Sequence, residues 1–207
     1  MLEKTERILP ENIINIKNRS NLSESNPKKN IGFFSKVIAT LKSNKMDFSI
    51  CESLFIYRLK FILEKNKKRK TERKSSVFDS NHVIDDDIEN IIPKIFKIFE
   101  VDGQIIILSL FLLEKVLYKC KILLDELNIL KLIIVSLLET IKFNIDEPEI
   151  DGNLICSVLK IDKEGLINIE MSYLSFVDYK LKIEEEKFFT YKQKIMIPWI
   201  DYLKDNL

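Results

Sequence analysis

The chain has 207 residues, of which 46% are hydrophobic and 31% charged, and its net charge is +1. These values exclude a wholly disordered chain and predict a soluble globular protein, either one domain with an extension or two small domains. The longest uncharged apolar run, Ile105–Leu113, is much shorter than the roughly 20 residues of a membrane span, so no transmembrane helix is predicted.

The first residues lack the apolar core of a secretory signal, so we expect the protein in the nucleus and/or the cytoplasm. Cys51, Cys120 and Cys156 are far apart and odd in number, which favours free thiols over disulfides or a zinc site. The charge is distributed unevenly. Residues 1–80 hold 18 Lys and Arg against 9 Asp and Glu, whereas residues 81–207 hold 15 against 23.

Residues 1–30 are rich in Asn, Ser and Lys and are predicted to be flexible. Residues 31–80 are predicted to form a helical extension, with amphipathic helices over 32–44 and 51–66. The extension ends in a basic linker, residues 65–74, in which seven of ten positions are Lys or Arg.

Three interpretations of the basic linker remain open. It is a solvated linker, a nucleic-acid-binding tail, or a nuclear import signal centred on Lys67, Lys68, Arg69 and Lys70. Nucleic acid is the least favoured partner, because no aromatic side chains are interleaved for base stacking.

Residues 81–195 are predicted to form a helical domain, and residues 196–207 a C-terminal tail. Pro93 breaks helix interiors, so the first helix of the domain is expected to begin near that residue. Further helices are predicted over residues 104–120, 129–143, 153–161, 166–181 and 182–195. No hairpin signal separates alternating apolar runs, so the fold class is predicted to be all-α, with the apolar helix 104–120 at the centre of about five helices.

No catalytic motif is present. The sequence lacks phosphate-binding glycine loops, zinc-binding HExxH helices and GxSxG nucleophile turns, and its one histidine, His82, lies in a polar segment. The acidic runs at 85–87 and 184–186 are typical of solvated charge. We therefore predict a binding protein that is not an enzyme and that needs neither a cofactor nor a metal ion.

Two charged residues interrupt apolar helices. Lys142 follows LLETI, and Glu170 lies within LINIEMSYL. Each alone has a simple explanation, since a lysine near a helix C-terminus favours the helix dipole and a helix turns one polar face to water.

The order of several motifs around Lys142 and Glu170 indicates a common role for these two residues. The segment Pro93–Tyr191 resembles a cyclin box, most closely the single-box P/U type related to the yeast phosphate-regulation cyclins. LLEKVL, Leu112–Leu117, is similar to the YLDR-like motif of the family's second helix. TIKFNIDEP, from Thr140, is similar to the A-A-K-F-like motif at the end of the family's third helix. IEMSYLSFVDYKL, from Ile169, is similar to the L-E-x-x-F-L motif of the family's fifth helix. EEEKFFTYKQKI is similar to the segment that closes the box.

This resemblance implies a five-helix cyclin box with an N-terminal helical extension. It also implies a regulatory subunit that binds and activates a cyclin-dependent protein kinase as a heterodimer, by packing on the regulatory helix of the kinase. In cyclins a lysine and a glutamate at these positions bond to the kinase backbone beside neighbouring apolar side chains. The implied kinase-binding residues are Lys142, Phe143, Glu170, Leu174, Tyr179 and Leu181.

Helix geometry is compatible with part of this set. Glu170 and Leu174 are four residues apart and share a helix face, and Leu181, eleven residues after Glu170, is expected to return to it. Two alternatives stay open: a helical adaptor with no kinase partner, and a cyclin-fold transcription-factor module. The second needs two boxes and a basic body, whereas residues 81–207 are acidic.

Overall fold

The computed structural model describes residues 35–40, 46–67, 69, 73–80, 87–146 and 148–206. Within these residues every regular element is a helix and none is a strand, which confirms the predicted all-α class. The predicted flexible segment 1–30 lies outside the described residues. The seven longer helices are α1 (Phe48–Lys67), α2 (Ile88–Ile98), α3 (Gly103–Cys120), α4 (Ile129–Asn144), α5 (Gly152–Leu159), α6 (Lys163–Phe176) and α7 (Glu185–Asn206).

Helix α3 lies at the centre, as its apolar composition predicts. It packs against α1, α4, α6 and α7, and most of its residues from Gly103 to Leu117 are buried. Asp102 begins the helix by accepting a hydrogen bond from the backbone N–H of Ile105 at 2.8 Å. A helix that is apolar on all sides is stable only when other helices cover it, and this one is covered.

The extension helix α1 is part of the same hydrophobic core. The ring of Phe55 meets that of Phe96 in α2 edge to face at 5.1 Å, and the ring of Tyr57 lies 5.4 Å from that of Tyr202 in α7. A polar contact reinforces this packing, because the Arg58 guanidinium binds both oxygens of Glu114, at 2.6 and 2.9 Å. Helix α1 therefore closes one side of the domain.

The first and last helices of the predicted domain have other boundaries in the structure. Helix α2 begins at Ile88, with Asp87 as its N-cap, and Pro93 lies inside it. Proline removes only one backbone donor, and Ile92 and Phe96 on the apolar face of this helix are almost fully buried, which compensates for the loss.

The predicted tail at 196–207 is also not separate. Helix α7 runs without a break from Glu185 to Asn206, and Trp199, in the predicted tail, is fully buried. Pro198 lies inside this helix, and Ile195, Met196 and Trp199 around it are buried in the core.

Candidate functional site

The two charged residues singled out in the sequence meet in the structure. Lys142 lies in the last turn of α4, and its Nζ is 2.6 Å from Oε1 of Glu170 on α6. The Lys142 side chain is 44% exposed and that of Glu170 16% exposed. The ammonium therefore faces solvent while the carboxylate lies deeper between the helices.

Two buried hydrogen bonds fix how α6 packs along α4, and this packing brings Lys142 and Glu170 together. The hydroxyl of Tyr173, three residues after Glu170, donates to Oγ of Ser136 at 2.8 Å. Ser136 in turn donates to the backbone carbonyl of Ser109 in α3 at 2.6 Å. Burial raises the pKa of Tyr173, so this hydroxyl keeps its proton and remains a donor. These two hydrogen bonds join α3, α4 and α6 in the interior of the domain.

The same contacts give the direction of α6. Glu170 meets Lys142, while Tyr173, further along α6, meets Ser136, which lies earlier in α4. The two helices therefore run antiparallel, and the C-terminal end of α6 points away from Lys142.

A third charged residue, Glu139, lies beneath the ion pair. Its side chain is 5% exposed, and its Oε1 is 3.8 Å from Nζ of Lys142. Burial raises the pKa of Glu139 from its ordinary value of 4.5 to about 7; nearby Lys142 opposes this change and Glu170 adds to it. Glu139 was not predicted as a site residue, although it is the one charged residue between Lys131 and Lys142 in an apolar helix.

Exposed apolar side chains flank the ion pair. Phe143 follows Lys142 directly and is 49% exposed. On α6, Ile167 and Leu174 share the Glu170 face because they lie three positions before it and four positions after it. Met171 follows Glu170 directly and lies beside that face. Ile167 and Met171 are at least half exposed, and Leu174 is partly buried. Ile167 and Met171 were missed, because apolar helix positions are usually assigned to the core.

Two predicted kinase-binding residues lie elsewhere. Helix α6 ends at Phe176, and Asp178 and Tyr179 follow with φ values of 54° and 56°. The chain therefore leaves the helix before Leu181, which packs partly buried against the core instead of returning to the Glu170 face. The prediction that Leu181 shares that face is wrong. Tyr179 is 62% exposed, but it lies three residues beyond the C-terminal end of α6.

The turn that carries Tyr179 is fastened to α3. Nζ of Lys115 donates to the backbone carbonyl of Lys180 at 3.1 Å, and Nζ of Lys119 lies 2.5 Å from Oδ1 of Asp178. The structure thus divides the predicted residues into a cluster around Lys142 and Glu170 and a separate pair in and after this turn.

The basic linker is only partly described. Lys67 is the last residue of α1 and pairs with Glu64 at 2.5 Å, and Arg69 lies in a turn. Lys68 and Lys70 lie outside the described residues. Arg73 binds Asp79 at 2.8 Å and also contacts Asp125, so the end of the run is held against the helical body.

Within the described part of the chain, no group of three or more His, Cys, Asp or Glu side chains is arranged to hold a metal ion. None of the described helices has the length and apolar composition to cross a membrane. A scan of the sequence against models of known protein families finds no match, and a comparison with curated protein sequences finds none either. The function is therefore inferred from the ion pair and its surroundings.

Proposed function

We propose that this chain is a cyclin-like regulatory subunit that binds and activates a cyclin-dependent protein kinase. The observation that carries the proposal is the Lys142–Glu170 ion pair, 2.6 Å long and 28 residues apart in sequence, displayed beside exposed apolar side chains. The resemblance to cyclins assigns a lysine and a glutamate at these positions to the kinase backbone.

The chemistry of the pair suits backbone recognition. A lysine ammonium has three N–H donors, so one bond to Glu170 leaves donors for a carbonyl of the partner. Charge-assisted hydrogen bonds of this type contribute ~1.5–3 kcal/mol each. Because each of the two side chains holds the other in place, less conformational entropy is lost when the partner binds.

The apolar neighbours would supply most of the affinity. Phe143, Ile167 and Met171 are each about half exposed and lie on the two helices that carry the pair. Large apolar side chains at the centre of an interface dominate binding energy, with the polar contacts fixing orientation. A charged pair between such anchors fits a helix that packs its apolar face on the site and presents backbone groups at one end.

Activation would then follow from a shift in population. A protein kinase is active when its regulatory helix lies inward and completes an internal Lys–Glu pair. A surface complementary only to that position stabilises the active state by its difference in affinity for the two states.

Affinity purification followed by mass spectrometry, from a lysate of the cells that make the protein, tests the proposal. The test variant exchanges the two charges, Lys142→Glu with Glu170→Lys, so opposite charges still face each other while the surface presented to the kinase is reversed. The control exchanges a distant exposed pair 3.4 Å apart, Asp201→Lys with Lys204→Asp.

We expect the unmodified chain and the control to recover a cyclin-dependent kinase and the test variant to lose it, with the helical circular dichroism of all three unchanged. Recovery of no such kinase, or equal recovery by the test variant, would overturn the proposal.

A further inference from the structure

Glu139 has an unusual position for a carboxyl group. Its side chain is almost fully buried, yet it lies within 4 Å of the most exposed charge of the site, Nζ of Lys142. Buried carboxyl groups are rare unless they are paired or protonated, because removing the charge from water is costly.

The surroundings of Glu139 offer little to balance a negative charge. The first half of α3, GQIIILSLFLL from Gly103, and the whole of α5, GNLICSVL from Gly152, carry no charged residue. Among the described residues, the titratable groups that face Glu139 are Lys142 from its own helix, and Glu170 and Tyr173 from α6. One cation is therefore shared by two carboxyl groups in largely apolar surroundings.

We propose that Glu139 is a proton-binding member of the Lys142–Glu170 site, and that its proton governs how Lys142 is presented to a partner. The part that concerns the kinase rests on the proposed function. The part that concerns the proton depends on this chain alone.

The two protonation states differ in the charge around Lys142. When Glu139 is neutral, Lys142 is held by Glu170 alone, and the three groups sum to zero. When Glu139 is ionised, Lys142 lies between two carboxylates, it is drawn inward, and the sum is −1. The change between the neutral and the ionised state of Glu139 occurs near neutral pH, since the pKa of Glu139 is about 7.

A partner that covers the site makes the ionised state still less favourable, because it removes water from around the cluster. The complex should therefore bind the proton more tightly than the free protein. By linkage, affinity for the partner then falls as the pH rises through 7.

The proton-binding part is tested on the free protein by a carbon-13 NMR titration of the side-chain carboxyl groups. We expect one carboxyl to titrate near pH 7 and to disappear in Glu139→Gln. Its apparent pKa should rise in Lys142→Met, which removes the cation, and fall in Glu170→Gln, which removes the like charge. A Glu139 carboxyl that titrates near its ordinary value of 4.5 would overturn the inference, whatever the partner.

The regulatory part is tested with the kinase recovered by affinity purification. The dissociation constant of the unmodified chain should rise about three- to tenfold from about pH 6 to about pH 8. It should change much less in Glu139→Gln, while the exposed loop variant Glu149→Gln should behave as the unmodified chain.

Equal pH dependence in the unmodified chain and Glu139→Gln would overturn this part while leaving the proposed function intact. Failure to recover any kinase overturns the proposed function and the regulatory part together, and the carboxyl titration still decides the proton-binding part.

Discussion

Replacing Glu139 with glutamine should change how the stability of the free protein depends on pH. Glutamine has nearly the shape of a protonated glutamate but does not titrate. In the folded protein the pKa of Glu139 is about 7, above the ordinary value of 4.5 that applies in the unfolded chain. The folded state therefore binds this proton more tightly, and its stabilising contribution is complete below about pH 4.5 and is lost as the pH rises through 7.

The size of the effect follows from the same two values. The pKa rises from 4.5 to about 7, and each pKa unit corresponds to ~1.4 kcal/mol. The loss of stability on ionisation is therefore about 3 kcal/mol, most of it between about pH 5 and about pH 8.

Urea unfolding followed by circular dichroism at several pH values measures this change. As the pH rises from about 5 to about 8, the free energy of unfolding of the unmodified chain should fall by about 2–3 kcal/mol relative to that of Glu139→Gln. The exposed Glu149→Gln variant controls for the loss of one negative charge. If the free energy of unfolding depends on pH equally in Glu139→Gln and in the unmodified chain, the reasoning is refuted. Glu139 would then have the same pKa in the folded and the unfolded protein.

Two further substitutions test the packing around the site. Trp199→Ala should lower the free energy of unfolding by ~3–5 kcal/mol, whereas Ile197→Ala, on the exposed face of α7, should change it by less than ~0.5 kcal/mol; equal urea midpoints would show that α7 is not part of the core. Glu114→Gln should cost about 1–3 kcal/mol because it leaves the partly buried Arg58 without its carboxylate, and the exposed Glu186→Gln is its control in the same unfolding assay. No difference between this pair would mean that the Arg58 contact does not fasten α1.

The helices were predictable because their apolar residues recur at three- and four-residue spacing or, in α3, occupy almost every position. Helix ends were less predictable. Pro93 was expected to mark the start of its helix and residues 196–207 to form a separate tail, yet Pro93 lies inside α2 and α7 continues to Asn206. Conversely, no proline or glycine marks the end of α6, where the two left-handed residues are Asp178 and Tyr179.

The site was predictable only in outline. Lys142 and Glu170 stand out because each interrupts an apolar pattern, and the structure brings the two side chains into contact. Ile167 and Met171 do not stand out in the sequence. An apolar residue at helical spacing gives the same pattern whether its side chain is buried or, as here, exposed. Glu139 was visible as a charge in an apolar helix, but its burial depends on how α4 packs against its neighbours.

The sequence by itself determined the all-α class, the central position of α3 and the two charged residues of the site, because composition and periodicity are local properties. Tertiary structure alone decided what surrounds those residues. The Tyr173–Ser136 bond sets the register of α6 on α4, and that register places Glu170 against Lys142 and Glu139 beneath them. The raised pKa of Glu139 follows from desolvation and from a neighbouring carboxylate 31 residues later in the chain, and neither can be read from local sequence.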